Sequence, residues 1–101
     1  MFWGKDDIVA TNQTTETGTI QSGRTRVFGI SYAGPAIAGS ITLRDGGGSG
    51  TVKMVVDTAA VIGAGAVYVP GALLFKTDVY AAFTTEQVTG ITVFHSGGSN
   101  N

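Results

Sequence analysis

No window of eleven residues in this chain has the apolar spacing of an amphipathic helix without an intervening glycine or β-branched cluster. Sixteen glycines and only two prolines occur in 101 residues, together with many threonines and valines. This composition favours short strands joined by tight turns. We therefore expect an all-β protein. The expected architecture is a two-sheet antiparallel sandwich of jelly-roll or immunoglobulin-like kind, with a small closed barrel as the second choice.

Alternating apolar residues and turn residues together predict the strands. The predicted strands are Ile8–Thr14, Thr17–Gln21, Thr25–Tyr32, Ser40–Arg44, Thr51–Asp57, Ala66–Val69, Leu73–Phe75, Val79–Phe83 and Ile91–Phe94.

Three segments allow more specific predictions. In Thr51–Asp57, the residues expected to face the core are Val52, Met54 and Val56, with Val55 outside. In the third strand, one face is predicted to carry Arg26, Phe28, Ile30 and Tyr32, opposite Thr25, Val27, Gly29 and Ser31. The glycine-rich segment Asp45–Gly50 predicts a hairpin loop, because glycine supplies the positive φ angles such loops need.

The two ends of the chain differ from its middle. Residues 8–95 form the predicted sandwich, residues 1–7 an N-terminal docking arm, and residues 96–101 a flexible polar tail. Phe2 and Trp3 precede any patterned strand, and aromatic residues are enriched at protein interfaces. We expect these two residues to bind a neighbouring subunit. The alternative is that they pack onto their own sandwich.

Charge and cysteine content limit the classes of partner. Only 13% of residues are charged and the net charge is −1. A nucleic-acid partner is not expected, because proteins that bind nucleic acids normally have an excess of basic residues. The absence of cysteine removes disulfides, thiolate metal sites and cysteine nucleophiles. Apolar stretches are interrupted before 18 residues, so no membrane partner is expected. So few charges suggest that much of the surface faces other protein.

One segment superficially resembles a dinucleotide-binding turn. An apolar run leads into Gly63-Ala64-Gly65, but Tyr68 occupies the position of the third glycine. Pro70 would interrupt the helix that must follow. The segment is therefore interpreted as a glycine-rich link between strands. Asp45–Gly50 likewise lacks the lysine that follows the last glycine of a phosphate loop.

No catalytic, cofactor-binding or metal-binding residue is predicted. His95 is the only histidine and no serine lies in a G-x-S-x-G turn. No pair of carboxylates is distinguished by its setting, and Asp45 and Asp78 are typical turn residues. We expect a protein without enzymatic activity or cofactor, in which His95 lies near the end of the last strand.

Several segments together resemble a known group of proteins. They are Gly23-Arg-Thr-Arg-Val-Phe-Gly-Ile-Ser-Tyr, Gly39-Ser-Ile-Thr-Leu-Arg-Asp-Gly-Gly, Gly50-Thr-Val-Lys-Met, Pro70-Gly-Ala-Leu-Leu-Phe and Val88-Thr-Gly-Ile-Thr-Val-Phe. Over Gly18 to Phe94 the chain resembles small β proteins of tailed phages, many from aquatic hosts.

That resemblance implies a structural component of the virion, either a capsid cement or decoration protein or a part of a tail or fibre. The implied partners are the major capsid protein or other virion proteins, and the implied location is the capsid surface in preference to the tail. A homotrimer is expected by analogy with the local threefold axes that decoration proteins occupy. The resemblance implies no activity and identifies no binding residue. Another alternative is a carbohydrate-binding module, in which the residues stacking on sugars would be Trp3, Tyr32, Tyr68 and Tyr80.

Overall fold

The computed structural model describes residues 8–34, 38–58 and 63–97. Its strands are β1 (Val9–Gln13), β2 (Thr17–Ser22), β3 (Thr25–Gly34), β4 (Gly39–Asp45), β5 (Thr51–Thr58), β6 (Gly63–Phe75), β7 (Asp78–Phe83) and β8 (Gly90–Gly97). The hairpin predicted at Asp45–Gly50 joins β4 to β5 through a short 3-10 turn at Gly47–Ser49. Within the described residues no helix is long and apolar enough to cross a membrane.

The strands form two four-stranded antiparallel sheets. Sheet 1 has the order β1-β8-β3-β6 and sheet 2 has the order β2-β7-β4-β5. The first strand thus pairs with the last, the second with the seventh, the third with the sixth and the fourth with the fifth. This nested pairing is that of a jelly roll. The predicted sandwich is confirmed, and the strand order selects the jelly roll over the immunoglobulin-like alternative.

The core lies between the two sheets. Its fully buried members come from both, and include Val27, Ile30, Ile41, Leu43, Phe75, Val79, Ile91 and Val93. Each such side chain contributes about 1.5–3 kcal/mol by leaving water. The buried residues of β4, β7 and β8 follow the alternation expected of strands with one face in the core.

A bulge in β3 changes which residues face the core. The pairing shifts between Val27 and Gly29, so that Phe28 is an extra residue in the strand. On the amino-terminal side of the bulge Thr25 and Val27 are buried and Arg26 is exposed, whereas Ile30 is buried beyond it. The predicted common face of Arg26, Phe28, Ile30 and Tyr32 is therefore wrong, because one inserted residue reverses the alternation.

A second bulge has the same effect in β5. Leu43 pairs with Met54 but Arg44 pairs with Val52, which leaves Lys53 as the extra residue. Val56 is buried as predicted and Val55 is exposed as predicted. Val52, which was expected in the core, is 45% exposed because it lies beyond the bulge.

Two predicted strands form one long edge strand. Ala66–Val69 and Leu73–Phe75 both belong to β6, which pairs with β3 on one side. Phe28 alone stands opposite residues 69–72, where Gly71 and Ala72 have φ angles of 81° and 67°. Pro70 is tolerated there because an edge strand does not need every amide donor.

Strand β8 extends beyond its predicted end at Phe94. It continues to Gly97, so Ser96 and Gly97, which the sequence analysis assigned to the tail, pair with β3.

Two carboxylates tie the loops together at one end of the sandwich. Asp45 accepts backbone hydrogen bonds from Lys76 at 2.8 Å, Thr77 at 2.8 Å and Asp78 at 3.3 Å. Asp78 in turn accepts the amides of Gly46 at 2.9 Å and Gly47 at 3.1 Å. The backbone amide of Lys76 is the largest cause that lowers the pKa of Asp45. The β4–β5 hairpin and the β6–β7 turn are therefore held by reciprocal carboxylate contacts.

Candidate interaction surface

The side of sheet 1 that faces away from the core is nearly free of charge. Strand register and alternation place the following strand residues on it: Ala10, Asn12, Arg26, Gly29, Ser31, Ala33, Ala66, Tyr68, Leu74, Gly90, Thr92, Phe94 and Ser96. We call this surface the outer face of sheet 1. Among these residues Arg26 is the only charged one. Small side chains dominate, so the face is available for close approach by another surface.

An aromatic pair stands on this face. Gly29 lies in β3 between its cross-strand partners Tyr68 in β6 and Phe94 in β8. The rings of Tyr68 and Phe94 are 6.5 Å apart between centroids and are tilted by 30°. Tyr68 is 69% exposed, whereas Phe94 is half-buried. Such a pair combines a large apolar surface with a polar hydroxyl, as is typical of residues that anchor interfaces.

The absence of a side chain at position 29 makes the pair possible. A Cβ there would lie 2.7 Å from Cδ1 of Tyr68 and 2.7 Å from the carbonyl oxygen of Val67. The Tyr68 ring thus occupies the space above the backbone of Gly29. The arrangement covers a strand glycine with an aromatic ring and leaves much of the ring in solvent.

A shallow depression adjoins the aromatic pair. It has a volume of about 320 Å³, and its lining residues are Asn12, Thr14, Ser31, Tyr32, Ala33, Thr89, Gly90, Ile91 and Thr92. Asn12 and Ser31 lie two positions after Ala10 and Gly29, and Thr92 lies two positions before Phe94. The depression therefore begins one row of paired residues away from the rings. Its amide and hydroxyl groups can form hydrogen bonds with a partner that covers the face.

The three tyrosines considered for sugar binding do not meet on one surface, and Trp3 lies outside the described residues. Tyr32 pairs with Gly65, and its hydroxyl occupies the space a side chain at 65 would need. It packs against the core. Tyr80 lies on the opposite side of the molecule, in β7 of sheet 2, with its ring 3.4 Å from the Cβ position of Gly48. Of the three described tyrosines, Tyr68 alone lies on the outer face of sheet 1.

His95 is buried in β8, with 1% of its surface exposed. Its Nε2 atom is hydrogen-bonded to Oγ1 of Thr11 at 2.8 Å, and Nδ1 has no hydrogen-bond partner among the described residues. Desolvation by burial lowers the pKa of His95, which favours the neutral ring. The side chain points into the sandwich beside edge strand β1 and does not reach the outer face.

The two described carboxylates with a lowered pKa, Asp45 and Glu16, accept hydrogen bonds from loop residues. Glu16 accepts the amide of Thr85 at 2.9 Å and its hydroxyl at 3.1 Å, and the amide contact is the larger cause that lowers the pKa of Glu16. Asp45 has the contacts described above. Within residues 8–34, 38–58 and 63–97, no group of three or more His, Cys, Asp or Glu residues is placed to hold a metal ion.

Two sequence predictions remain, on the glycine-rich segment at Gly63 and on the docking residues. Gly63-Ala64-Gly65 begins strand β6 and pairs with Tyr32-Ala33-Gly34, so it does not precede a helix as a dinucleotide-binding turn must. Phe2 and Trp3, the predicted docking residues, lie outside the described residues. Sequence reasoning missed Gly29, Phe94 and Arg26, because their proximity to Tyr68 depends on strand register. An exposed aromatic opposite a glycine becomes visible only when the partner strand is known.

Comparisons with known proteins add one structural likeness. No protein-family model matches the chain, and no curated protein matches it. A similar structure is the cryo-EM virus-like particle of the extra small virus of the giant freshwater prawn Macrobrachium rosenbergii. The identity is 10%, with 89% of this chain and 75% of that chain covered, and the TM-score is 0.39. At this TM-score the likeness carries no weight for fold or function.

Proposed function

We propose that this chain is a non-enzymatic structural protein of a tailed-phage virion, a capsid cement or decoration protein that clamps neighbouring capsid subunits. The observation that carries the proposal is the outer face of sheet 1. Its aromatic pair consists of the exposed Tyr68 and the half-buried Phe94, and Arg26 is the only charged residue among those described on it. Surfaces with few charges and exposed aromatic side chains are typical of sites that bind another protein. The resemblance to small β proteins of tailed phages points to the same class.

A repeated shell position suits a chain of this size and shape. A domain of 101 residues buries a modest share of its surface, and contacts with neighbours add stability. Long edge strands such as β6 and β5 expose unpaired backbone groups that a neighbouring subunit can cover. The proposed partners are the major capsid protein or other virion proteins, and the proposed assembly is a homotrimer on the capsid surface.

Copy number in purified virions tests the position. Quantitative mass spectrometry of digested particles should find hundreds of copies of this chain for each particle. A number near six or twelve would move the protein to the tail or fibre, which is the alternative within the same class. Complete absence from particles would overturn both versions.

A carbohydrate-binding function is the second candidate, favoured by the exposed Tyr68 ring beside a depression that contains Asn12, Ser31 and Thr92. Calorimetric titration with a glycan panel tests it. Binding that is lost in Tyr68→Ala and kept in Tyr80→Ala would support this function, since Tyr80 lies on the other sheet. No binding by the unmodified protein would remove it.

The absence of enzymatic activity is part of the proposal. A panel of esterase and glycosidase substrates should give no turnover above a buffer control. Turnover that disappears in His95→Ala, while that variant stays folded, would contradict a purely structural role.

A further inference from the structure

We propose that the outer face of sheet 1 is the docking site for residues 1–7 of a second copy of this chain. Phe2 and Trp3 of one copy contact Tyr68 and Phe94 of the other, and the acidic pair that follows them lies beside Arg26. This inference rests on the clamping role proposed above and names the partner of the docking segment. It assigns that segment a receiving surface made of described residues.

The charge pattern of the segment fits the face. Residues 1–7 read Met-Phe-Trp-Gly-Lys-Asp-Asp, with two aromatic side chains followed by two adjacent carboxylates. On the face, two aromatic side chains are accompanied by the single cation Arg26, which is exposed and pairs with Ser96 and Leu74. Aromatic rings would thus meet aromatic rings and carboxylates would meet a guanidinium.

The spacing permits both contacts. Arg26 and Gly29 pair with Ser96 and Phe94, which are two positions apart in β8, so the bulge at Phe28 leaves about 7 Å between the two rows. The chain from Trp3 to Asp6 spans up to about 10 Å when it is extended. A segment that is not fully extended can therefore place its aromatic residues at the aromatic pair and a carboxylate beside Arg26.

The direction of β1 favours a second copy over the same chain. Val9 pairs with His95 and Ala10 with Phe94, so the chain enters the sheet at the end beyond the aromatic row. A segment that continues the direction of β1 leaves the sheet at that end. Its return to its own face requires a reversal over about four residues, which would place Asp6 and Asp7 in the turn. A second copy can receive the segment without that reversal.

Charge reversal tests the pairing. Arg26→Glu should weaken self-association, measured by sedimentation over a dilution series, by at least about 10-fold. Combining it with Asp6→Arg and Asp7→Arg should restore most of the loss. Arg24→Glu is the matched control, since Arg24 is an exposed arginine in the turn before β3. Equal loss in both arginine variants, or no rescue, would overturn the assignment.

Cross-linking identifies the copy. The chain has no cysteine, so single variants Gly4→Cys and Ser96→Cys can be mixed and oxidised. Mixed disulfide dimers should exceed several-fold those formed by Gly4→Cys with Thr19→Cys, because Thr19 is exposed on sheet 2. A yield no higher than this control would overturn the site. A Gly4→Cys/Ser96→Cys double variant that closes only within one chain would overturn the second-copy assignment.

These outcomes separate this inference from the proposed function. Retention of each variant on particles is measured independently, by mass spectrometry of virions that lack the unmodified protein. If self-association fails while particles still carry the protein, docking of residues 1–7 on a second copy is refuted and the virion role stays in place. Normal self-association by a protein that is absent from particles would refute the virion role alone.

Discussion

At the scale of single residues, His95 links stability to pH. Its pKa is lowered by burial in the folded state, so the unfolded chain binds the proton more readily. The contribution of the neutral ring is complete above the ordinary histidine pKa near 6.5 and is lost as pH falls toward the folded-state value. Because His95 is the only histidine, one group dominates this window.

We expect the free energy of unfolding to fall as the pH drops below about 6.5, with a slope of at most about 1.4 kcal/mol for each pH unit. His95→Gln should be flatter across the same range, because glutamine does not titrate. Urea unfolding at several pH values measures both. The carboxylates Asp45 and Glu16 act at lower pH, since their lowered pKa values lie below 3.8 and 4.5. An identical slope in the variant would contradict the assignment to His95.

Gly29 is a second residue at which a substitution should change the stability of the fold. In Gly29→Ala the new Cβ would lie 2.7 Å from both Cδ1 of Tyr68 and the carbonyl oxygen of Val67. We expect a loss of about 1–3 kcal/mol, or roughly 4–8 °C in Tm for each kcal/mol. Combining it with Tyr68→Ala should relieve part of the loss, because the contact with the ring is removed. The relief should be incomplete, because the contact with the carbonyl oxygen of Val67 remains.

Gly48→Ala is the control for that experiment. Its Cβ would meet the Tyr80 ring at an ordinary 3.4 Å. The expected change is within about 0.5 kcal/mol. Comparable losses in Gly29→Ala and Gly48→Ala would show that the close approach of Tyr68 is not the cause.

At the scale of elements, the reciprocal contacts of Asp45 and Asp78 join the β4–β5 hairpin to the β6–β7 turn. Asp45→Ala should destabilise the fold by about 1 kcal/mol, because three backbone amides lose their acceptor and turn to water. Asp57→Ala is a matched control in exposed edge strand β5. Hydrogen exchange should accelerate at Lys76 and Thr77 in the Asp45 variant. Unchanged exchange there would contradict the proposed tie.

The contribution of Asp45 also depends on pH. Its pKa is lowered in the folded state, so its stabilising effect is present above the unfolded pKa of 3.8 and disappears as pH falls through the folded value. The difference in stability between the unmodified protein and Asp45→Ala should therefore shrink in strong acid. Unfolding curves below pH 4 measure this convergence.

At the scale of the whole molecule, the sandwich should be stable without its first residues. The buried core runs from Ile20 to Val93, within the described residues. Deletion of residues 1–5 should change the free energy of unfolding of the isolated protein by less than about 0.5 kcal/mol, and should weaken attachment to particles or between subunits. Leu43→Ala, which truncates a fully buried side chain, should cost about 2–5 kcal/mol and sets the scale.

Thermal unfolding and particle retention decide this prediction together. A collapsed Tm in the truncated protein, with normal binding by the fraction that stays folded, would assign Phe2 and Trp3 to the core. Unchanged values in both assays would leave those residues without a docking role.

The sequence by itself determined the all-β class, the two-sheet sandwich and the β4–β5 hairpin. These features depend on local chemistry: the lack of helical apolar spacing, the alternation in Ser40–Arg44, and a glycine-rich loop. Ile41 and Leu43 alternate with polar residues in that strand, and both are fully buried.

Only the tertiary structure decided the strand order, the two bulges and the outer face of sheet 1. A bulge is one extra residue relative to a partner strand, so Phe28 and Lys53 can be recognised only in a paired sheet. The proximity of Tyr68, Gly29 and Phe94 likewise requires β3 to lie between β6 and β8. Pairings between strands distant in the chain depend on the packing of the whole core, and a local pattern does not specify it.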